Sequence, residues 1–258
     1  MKLNRRQWVK GVSASAAWLA MSSYALANTV QDEMNAEEKK VPNEPEIINA
    51  GVGGNNTIEM LARIEQDCLA YKPRLTILMA GTNDMNSVKH VPLGQYEKNM
   101  NEIAGRIIKS GSKLLMMTIL PCYEPYLLTR HPKAFYEPEG VAGRRDQVNE
   151  VIKRVAKKHK AHLLDIGKRF VATGKIGLDK DSLIQNEMNT NKTDGIHPTP
   201  NGYRFIGLCV YDYLTACNLP VNSIVCFGDS ITKGDGTTTK ESYPAYLYKL
   251  LTAQSDGN

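Results

Sequence analysis

The feature that most limits what this chain can fold into is a rhythm. From residue 46 onward, short apolar, β-rich runs alternate with longer stretches whose apolar residues recur every three to four positions. The runs are Glu46–Ala50, Arg74–Ala80, Lys113–Leu120, Ala161–Ile166 and Ser223–Phe227. The first is followed by a predicted helix from Asn56 to about Tyr71, with Asn56 and Glu59 spaced as a capping box. Gln95–Ser110 sets Tyr96, Met100, Ile103 and Ile107 on one helical face, and Gly143–Lys160 does the same with Val148, Ile152 and Val155. Asn201–Cys217 is apolar nearly all round, which predicts a deeply buried helix, and Ser242–Ala253 reads as a last helix. Strands that alternate with helices form a parallel sheet, because each crossover returns the chain to the same end, and the helices then cover both faces. The expected fold is a three-layer α/β/α sandwich around a parallel sheet of about five strands. Two stretches break the rhythm: residues 122–142, with Tyr123, Tyr126, Phe135 and Tyr136 among prolines, and residues 167–200, which are mostly polar. Long loops in such folds tend to carry function.

The first 45 residues do not fit that rhythm. Residues 1–27 combine a basic start containing Arg5-Arg6, a Ser/Ala-rich apolar stretch from Gly11, and Ala25-Leu26-Ala27 at the end. This is the layout of an export signal with an A-x-A cleavage site, and Asn4–Lys10 is similar to a bacterial twin-arginine signal. It predicts an exported protein, periplasmic or secreted, with no stable membrane insertion after cleavage. No Cys follows the cleavage point to suggest a lipid anchor. Residues 28–45, with Glu37-Glu38-Lys39-Lys40 and two prolines, read as a polar linker, so residues 46–258 are the expected domain. The signal carries Lys2, Arg5, Arg6 and Lys10 and no acid, hence four of the chain's five net positive charges. A mature chain of 231 residues at +1 has no basic surplus to spend on nucleic acid. Five cysteines, Cys68, Cys122, Cys209, Cys217 and Cys226, show no metal-ligand spacing; export would permit a disulfide, the sequence does not pair them, and Cys68 and Cys226 sit in core-like patterns.

Four short motifs stand at or near strand ends: Asn49–Thr57 with its glycines, Gly81-Thr82-Asn83-Asp84, Asp194-Gly195-Ile196-His197-Pro198, and Phe227-Gly228-Asp229-Ser230-Ile231-Thr232. Ligand sites in open α/β sheets lie outside the carboxyl ends of the strands. Ser230 offers a hydroxyl nucleophile, His197 a base, and Asp194 a carboxylate to orient the imidazole. Gly54, lacking a Cβ, lets a backbone N–H approach a substrate, and Asn83 adds a side-chain amide. Together these are the parts of an acyl-transfer site. The glycines of 51–54 lack the G-x-G-x-x-G spacing of a dinucleotide loop, and Thr232 stands where a G-x-S-x-G elbow needs its second glycine.

The four motifs resemble the blocks of the SGNH hydrolases, the GDSL esterase family, over essentially all of residues 46–253. Gly228-Asp229-Ser230 resembles the nucleophile block, Gly54 and Asn83 fall at the glycine and asparagine of the next two, and Asp194 and His197 match the D-x-x-H block. The resemblance implies a flavodoxin-like SGNH fold, a Ser230–His197–Asp194 triad, and an oxyanion hole formed by the Ser230 and Gly54 amides with the Asn83 side chain. It implies no metal and no cofactor. It implies a serine ester hydrolase, with a carbohydrate O-acetylesterase or short-chain acyl esterase as the leading expectation. The alternatives are a lysophospholipase or thioesterase, a non-catalytic glycan-binding module, and acyl transfer to a sugar. One departure is large. The Ser block, first in the family, is last here, which reads as a circular permutation joined through Asn218–Val221. A smaller one is Asn55-Asn56, where the family often has Asp-Thr.

Overall fold

The computed structural model describes residues 45–237 and 241–255. The expected signal, and all of the expected linker but its last residue, lie outside the described residues. Strand β1 (Ile47–Gly51) leads to helix α1 (Thr57–Asp67), then β2 (Leu75–Met79), α2 (Leu93–Lys109), β3 (Lys113–Met117), a short α3 (Glu124–Leu127), and α4 (Gly140–His159). The chain continues through β4 (His162–Leu164), α5 (Ile166–Thr173), a short α6 (Glu187–Thr190), α7 (Pro200–Ala216), β5 (Ile224–Gly228), a short α8 (Ser230–Lys233) and α9 (Tyr243–Ser255).

The five strands form one parallel sheet in the order β1-β5-β2-β3-β4. The last strand in sequence therefore lies between the first two. Its register puts Gly228 level with Gly51 on one side and Met79 on the other. Residues of β2 and β5 are buried throughout, as strands covered on both faces must be. Alternate residues point to opposite faces. Leu78, Val225 and Phe227 join Met60 and Ile64 of α1, Tyr96, Met100 and Ile103 of α2, and Val148 and Ile152 of α4. Leu75, Ile77, Met79, Ile224 and Cys226 join Phe170 of α5, Tyr203, Ile206 and Val210 of α7, and Leu247 of α9. The two clusters are the two interfaces of a three-layer α/β/α sandwich, the fold the rhythm predicts.

Several local expectations need adjusting. The helix from Asn56 ends at Asp67, and residues 69–71 form one tighter 3₁₀ turn closed by Lys72 in a left-handed conformation. The capping box is formed, with Asn56 accepting from Ile58 and Glu59 N–H while Glu59 accepts from Asn56 N–H. The expected strand Ala161–Ile166 shortens to three residues, because Asp165 caps α5 within the stretch read as polar loop. Helix α7 is not buried all round: Leu208 is 45% exposed, and the helix buries one face. Cys68 and Cys226 are fully buried core residues, and all five cysteines are free thiols.

Candidate active site

Strand β5 ends on Gly228, and the chain turns at once into α8, with Asp229 as N-cap accepting from Ile231 N–H at 2.9 Å. The turn needs glycine on two adjacent strands. A Cβ on Gly228 would stand 2.1 Å from Thr232 Oγ1 and 2.7 Å from the Met79 carbonyl; one on Gly51 would stand 2.2 Å from Lys233 N. No side chain fits at those distances, so the strand ends and the start of α8 stay in backbone contact. Ser230 is thereby held as the first residue of α8, at the carboxyl end of the sheet.

His197 reaches it from the loop before α7. His197 Nε2 lies 3.0 Å from Ser230 Oγ, and His197 Nδ1 lies 2.9 Å from Asp194 Oδ2. The other carboxylate oxygen of Asp194 accepts from the N–H groups of Ile196 and His197, at 2.9 and 2.6 Å. One carboxylate thus fixes both the local turn and the ring it faces. Burial alone would raise the Asp194 pKa, but the His197 bond and charge and the two backbone donors outweigh it and hold it at about 2. Burial alone would lower the His197 pKa, but Asp194 outweighs it, and the imidazole ends above its ordinary value. Asp229 is fully buried, and burial pushes it up to about 6 against the opposing pull of the Ile231 N–H and the His197 charge.

Gly54 adopts φ +76°, with open space where a Cβ would project. Asn83 Nδ2 donates to the Asn55 carbonyl at 3.0 Å, while Asn83 Oδ1 accepts from Asn86 Nδ2 at 3.3 Å. These bonds fix the amide with its N–H₂ toward the Gly54 loop. Ser230, His197 and Asn83 share the wall of a narrow cavity of about 70 Å³, otherwise lined mainly by apolar residues such as Met85, Ile119, Leu120, Ile196 and Ile231. Of the four loop aromatics, Tyr136 lines this cavity, Phe135 packs under Arg144, and Tyr123 and Tyr126 stack edge-to-face.

The structure thus brings Ser230, His197 and Asp194 into one hydrogen-bonded row and sets Asn83 beside the loop that carries Gly54. Sequence reasoning missed what braces them. Gln185 donates its backbone N–H to the His197 carbonyl, accepts from Gly195 N–H, and donates Nε2–H to the Pro198 carbonyl. Arg130 donates to the carbonyls of Thr193 and Asp194. Asn86 fixes Asn83.

The model of the GDSL-like lipase/acylhydrolase family matches residues 12–205, three quarters of the chain. The chain belongs to this family. As a GDSL-family acylhydrolase it is a carboxylic ester hydrolase. A Bacillus subtilis (strain 168) protein named uncharacterized lipoprotein YqeF is 28% identical over 172 residues, covering 62% of this chain and 70% of that one. The acetylxylan esterase of Geobacillus stearothermophilus is 24% identical over 132 residues, covering 48% of this chain and 55% of the esterase. Among solved structures, the acetyl xylan esterase AlAXEase superposes with a TM-score of 0.51 at 22% identity, over 64% of this chain and 79% of that chain. It shares the fold. Among the described residues, no helix is long and apolar enough to cross a membrane.

Proposed function

We propose that this GDSL-family chain hydrolyses short-chain acyl esters, acetyl esters of carbohydrate foremost, through an acyl-enzyme on Ser230. The observation that carries the reading is the unbroken row Asp194–His197–Ser230, with both of its contacts within 3.0 Å and the cavity beside it. Asp194 holds the proton of His197 on Nδ1, leaving Nε2 free to accept the Ser230 proton as Oγ attacks the acyl carbon. The Ser230 and Gly54 amides and Asn83 Nδ2 hold the oxyanion. His197 returns its proton to the departing alcohol, and water, activated by the same imidazole, releases the acid. The small apolar cavity suits an acetyl group better than a long acyl chain, and the acetylxylan esterases among the similar proteins agree with that choice. Ser230→Ala is expected to abolish hydrolysis of p-nitrophenyl acetate, and the parent to prefer acetyl over octanoyl esters. Retained activity in Ser230→Ala would refute the nucleophile; a preference for octanoyl would favour a lysophospholipase- or thioesterase-type acylhydrolase.

The domain plan belongs to the same reading: residues 1–27 an export signal, 28–45 a linker, and 46–258 a circularly permuted hydrolase domain. Two observations support the permutation. Counting β5 first turns the sheet order into 2-1-3-4-5, the flavodoxin-like order. The family match spans residues 12–205, so it ends before Ser230, and it begins within the stretch read as the export signal. A chain that starts at Asn222, links residue 255 to residue 46 and ends at Cys217 is expected to fold and hydrolyse the same ester; an inactive, unfolded product would count against it. The twin-arginine-like start supports export, as does the lipoprotein name of the Bacillus subtilis relative. A mature N-terminus at Asn28 in the exported fraction is the expected result.

A further inference from the structure

Arg63, in the second turn of α1, reaches the segments that carry the candidate oxyanion donors, and its side chain is 14% exposed. Its guanidinium uses its donors on three different segments. Nη2 donates to the Gly228 carbonyl at 2.8 Å, Nη1 to the Ala50 carbonyl at 2.9 Å, and Nε to Asn55 Oδ1 at 2.6 Å. Asp67, one turn further along α1, holds Nη1 at 3.2 Å, and the guanidinium carbon sits 4.5 Å over the Phe227 ring.

Each of these acceptors belongs to a carrier of an oxyanion donor. Gly228 ends the strand that launches Ser230. Ala50 lies in the strand that leads to Gly54, and Asn55 is the next residue after Gly54. The Asn55 carbonyl in turn accepts Asn83 Nδ2, so the third donor hangs from the same segment. The ends of β1 and β5 are neighbours across the sheet, with Gly51 level with Gly228, and one planar fork bridges them. Arginine suits the task because its five donors are held in a rigid plane, whereas an ammonium on a flexible stem has no fork to span two carbonyls and an amide at once. A salt bridge to Asp67 alone would need none of this reach.

We infer that Arg63 is a positioning residue for the oxyanion hole, acting through Gly228, Ala50 and Asn55 to set the relative places of the Ser230, Gly54 and Asn83 donors. The inference rests on the proposed roles of those three residues. Donors that stabilise a transition state must sit within about 0.5 Å of their working places, so loosening the clamp costs turnover more than ground-state binding.

The test uses the full-length protein with p-nitrophenyl acetate, well below each variant's melting temperature. Arg63→Ala is expected to lower kcat by roughly 10–10², less than loss of a whole donor, with KM within about twofold. Added guanidinium at millimolar levels is expected to restore part of kcat, which a general loss of stability would not permit. Placed in an Asn83→Ala background, Arg63→Ala should cost clearly less than it does alone, because both act on one unit. Should Arg63→Ala not fold, Arg63→Lys, which keeps the charge and the stem but not the fork, carries the kcat, KM and Asn83→Ala measurements. Arg106→Ala, on the outer face of α2 among Glu65 and Glu102, is the control with unchanged kcat. An unchanged kcat in the Arg63 variants, a loss confined to KM, or full additivity with Asn83→Ala would overturn the inference. Activity that survives Ser230→Ala would instead defeat the underlying site assignment, so the two failures are told apart.

Discussion

Asp194→Asn separates the two tasks that Asp194 performs. The amide oxygen of the new side chain still accepts from the N–H groups of Ile196 and His197, so the turn survives. Its N–H₂ group, however, now faces His197 Nδ1 where a carboxylate oxygen stood at 2.9 Å. Nδ1 must accept instead of donate, and the imidazole proton moves to Nε2, which points at Ser230 Oγ. That tautomer has no lone pair to take the serine proton. A loss in kcat on the order of 10⁴ is expected. The stability effect follows from the carboxyl group's displacement from its ordinary 3.8 to about 2. A depressed carboxyl contributes stability that is complete above its unfolded pKa and is lost as pH falls through the folded one. The displacement corresponds to about 2 kcal/mol at pH 7, and to roughly half of that at pH 3. Urea unfolding of parent and variant at pH 7 and pH 3 reads both numbers. A kcat within tenfold of the parent, or a stability gap that does not narrow at pH 3, would refute the reasoning.

The other predictions concern separate parts of the site. Asn83→Ala removes one of the proposed oxyanion donors and is expected to lower kcat by roughly 10²–10³ with little change in melting temperature; steady-state kinetics beside a thermal melt checks both. His197 must be neutral to act, and Asp194 raises its pKa above the ordinary 6.5, so kcat/KM should fall on the acid side with a midpoint above pH 6.5; a midpoint below that value would contradict the geometry. Gly228→Ala drives a Cβ to 2.7 Å from the Met79 carbonyl, a main-chain atom of the neighbouring strand that cannot swing aside. It should cost roughly 3 kcal/mol, at about 2–4 °C of melting temperature for each. Gly177→Ala, with no atom within 4 Å of the new methyl, should melt with the parent.

What was legible in the sequence is what local chemistry writes there. Ile224–Phe227 is apolar, and Leu75–Met79 apolar but for Thr76, because both faces of their strands are covered, and Asn56 with Glu59 shows a helix start within four residues. Ser230, His197 and Asp194 stood out because each belongs to a short motif. The braces carry no such signature. Arg63 looks like an ordinary helix-surface arginine with Asp67 four residues on, and its decisive acceptor is a carbonyl 165 positions away. Gln185 sits in a polar run, and two of its three bonds to the His197 loop use its own main chain, which any residue possesses. Helix α5 hid for a related reason: eight residues hold too few turns for a period to show, though Asp165 as its cap was there to be read.

The late position of Ser230 in the chain costs the site nothing, and the sheet register shows why. Gly51, Gly228 and Met79 lie level across three adjacent parallel strands, about 4.8 Å apart from one to the next. The three loops that follow begin at one height, and Gly54, Ser230 and Asn83 come three, two and four residues later. Ser230, the proposed nucleophile, and Gly54 and Asn83, the proposed donors, therefore converge because β5 lies between β1 and β2, not because of the order in which the strands are made. The one group brought in from elsewhere, the Asp194–His197 turn, is held by side-chain and main-chain bonds from Gln185 and Arg130. Chain order is free to change so long as strand neighbours and that turn's braces do not.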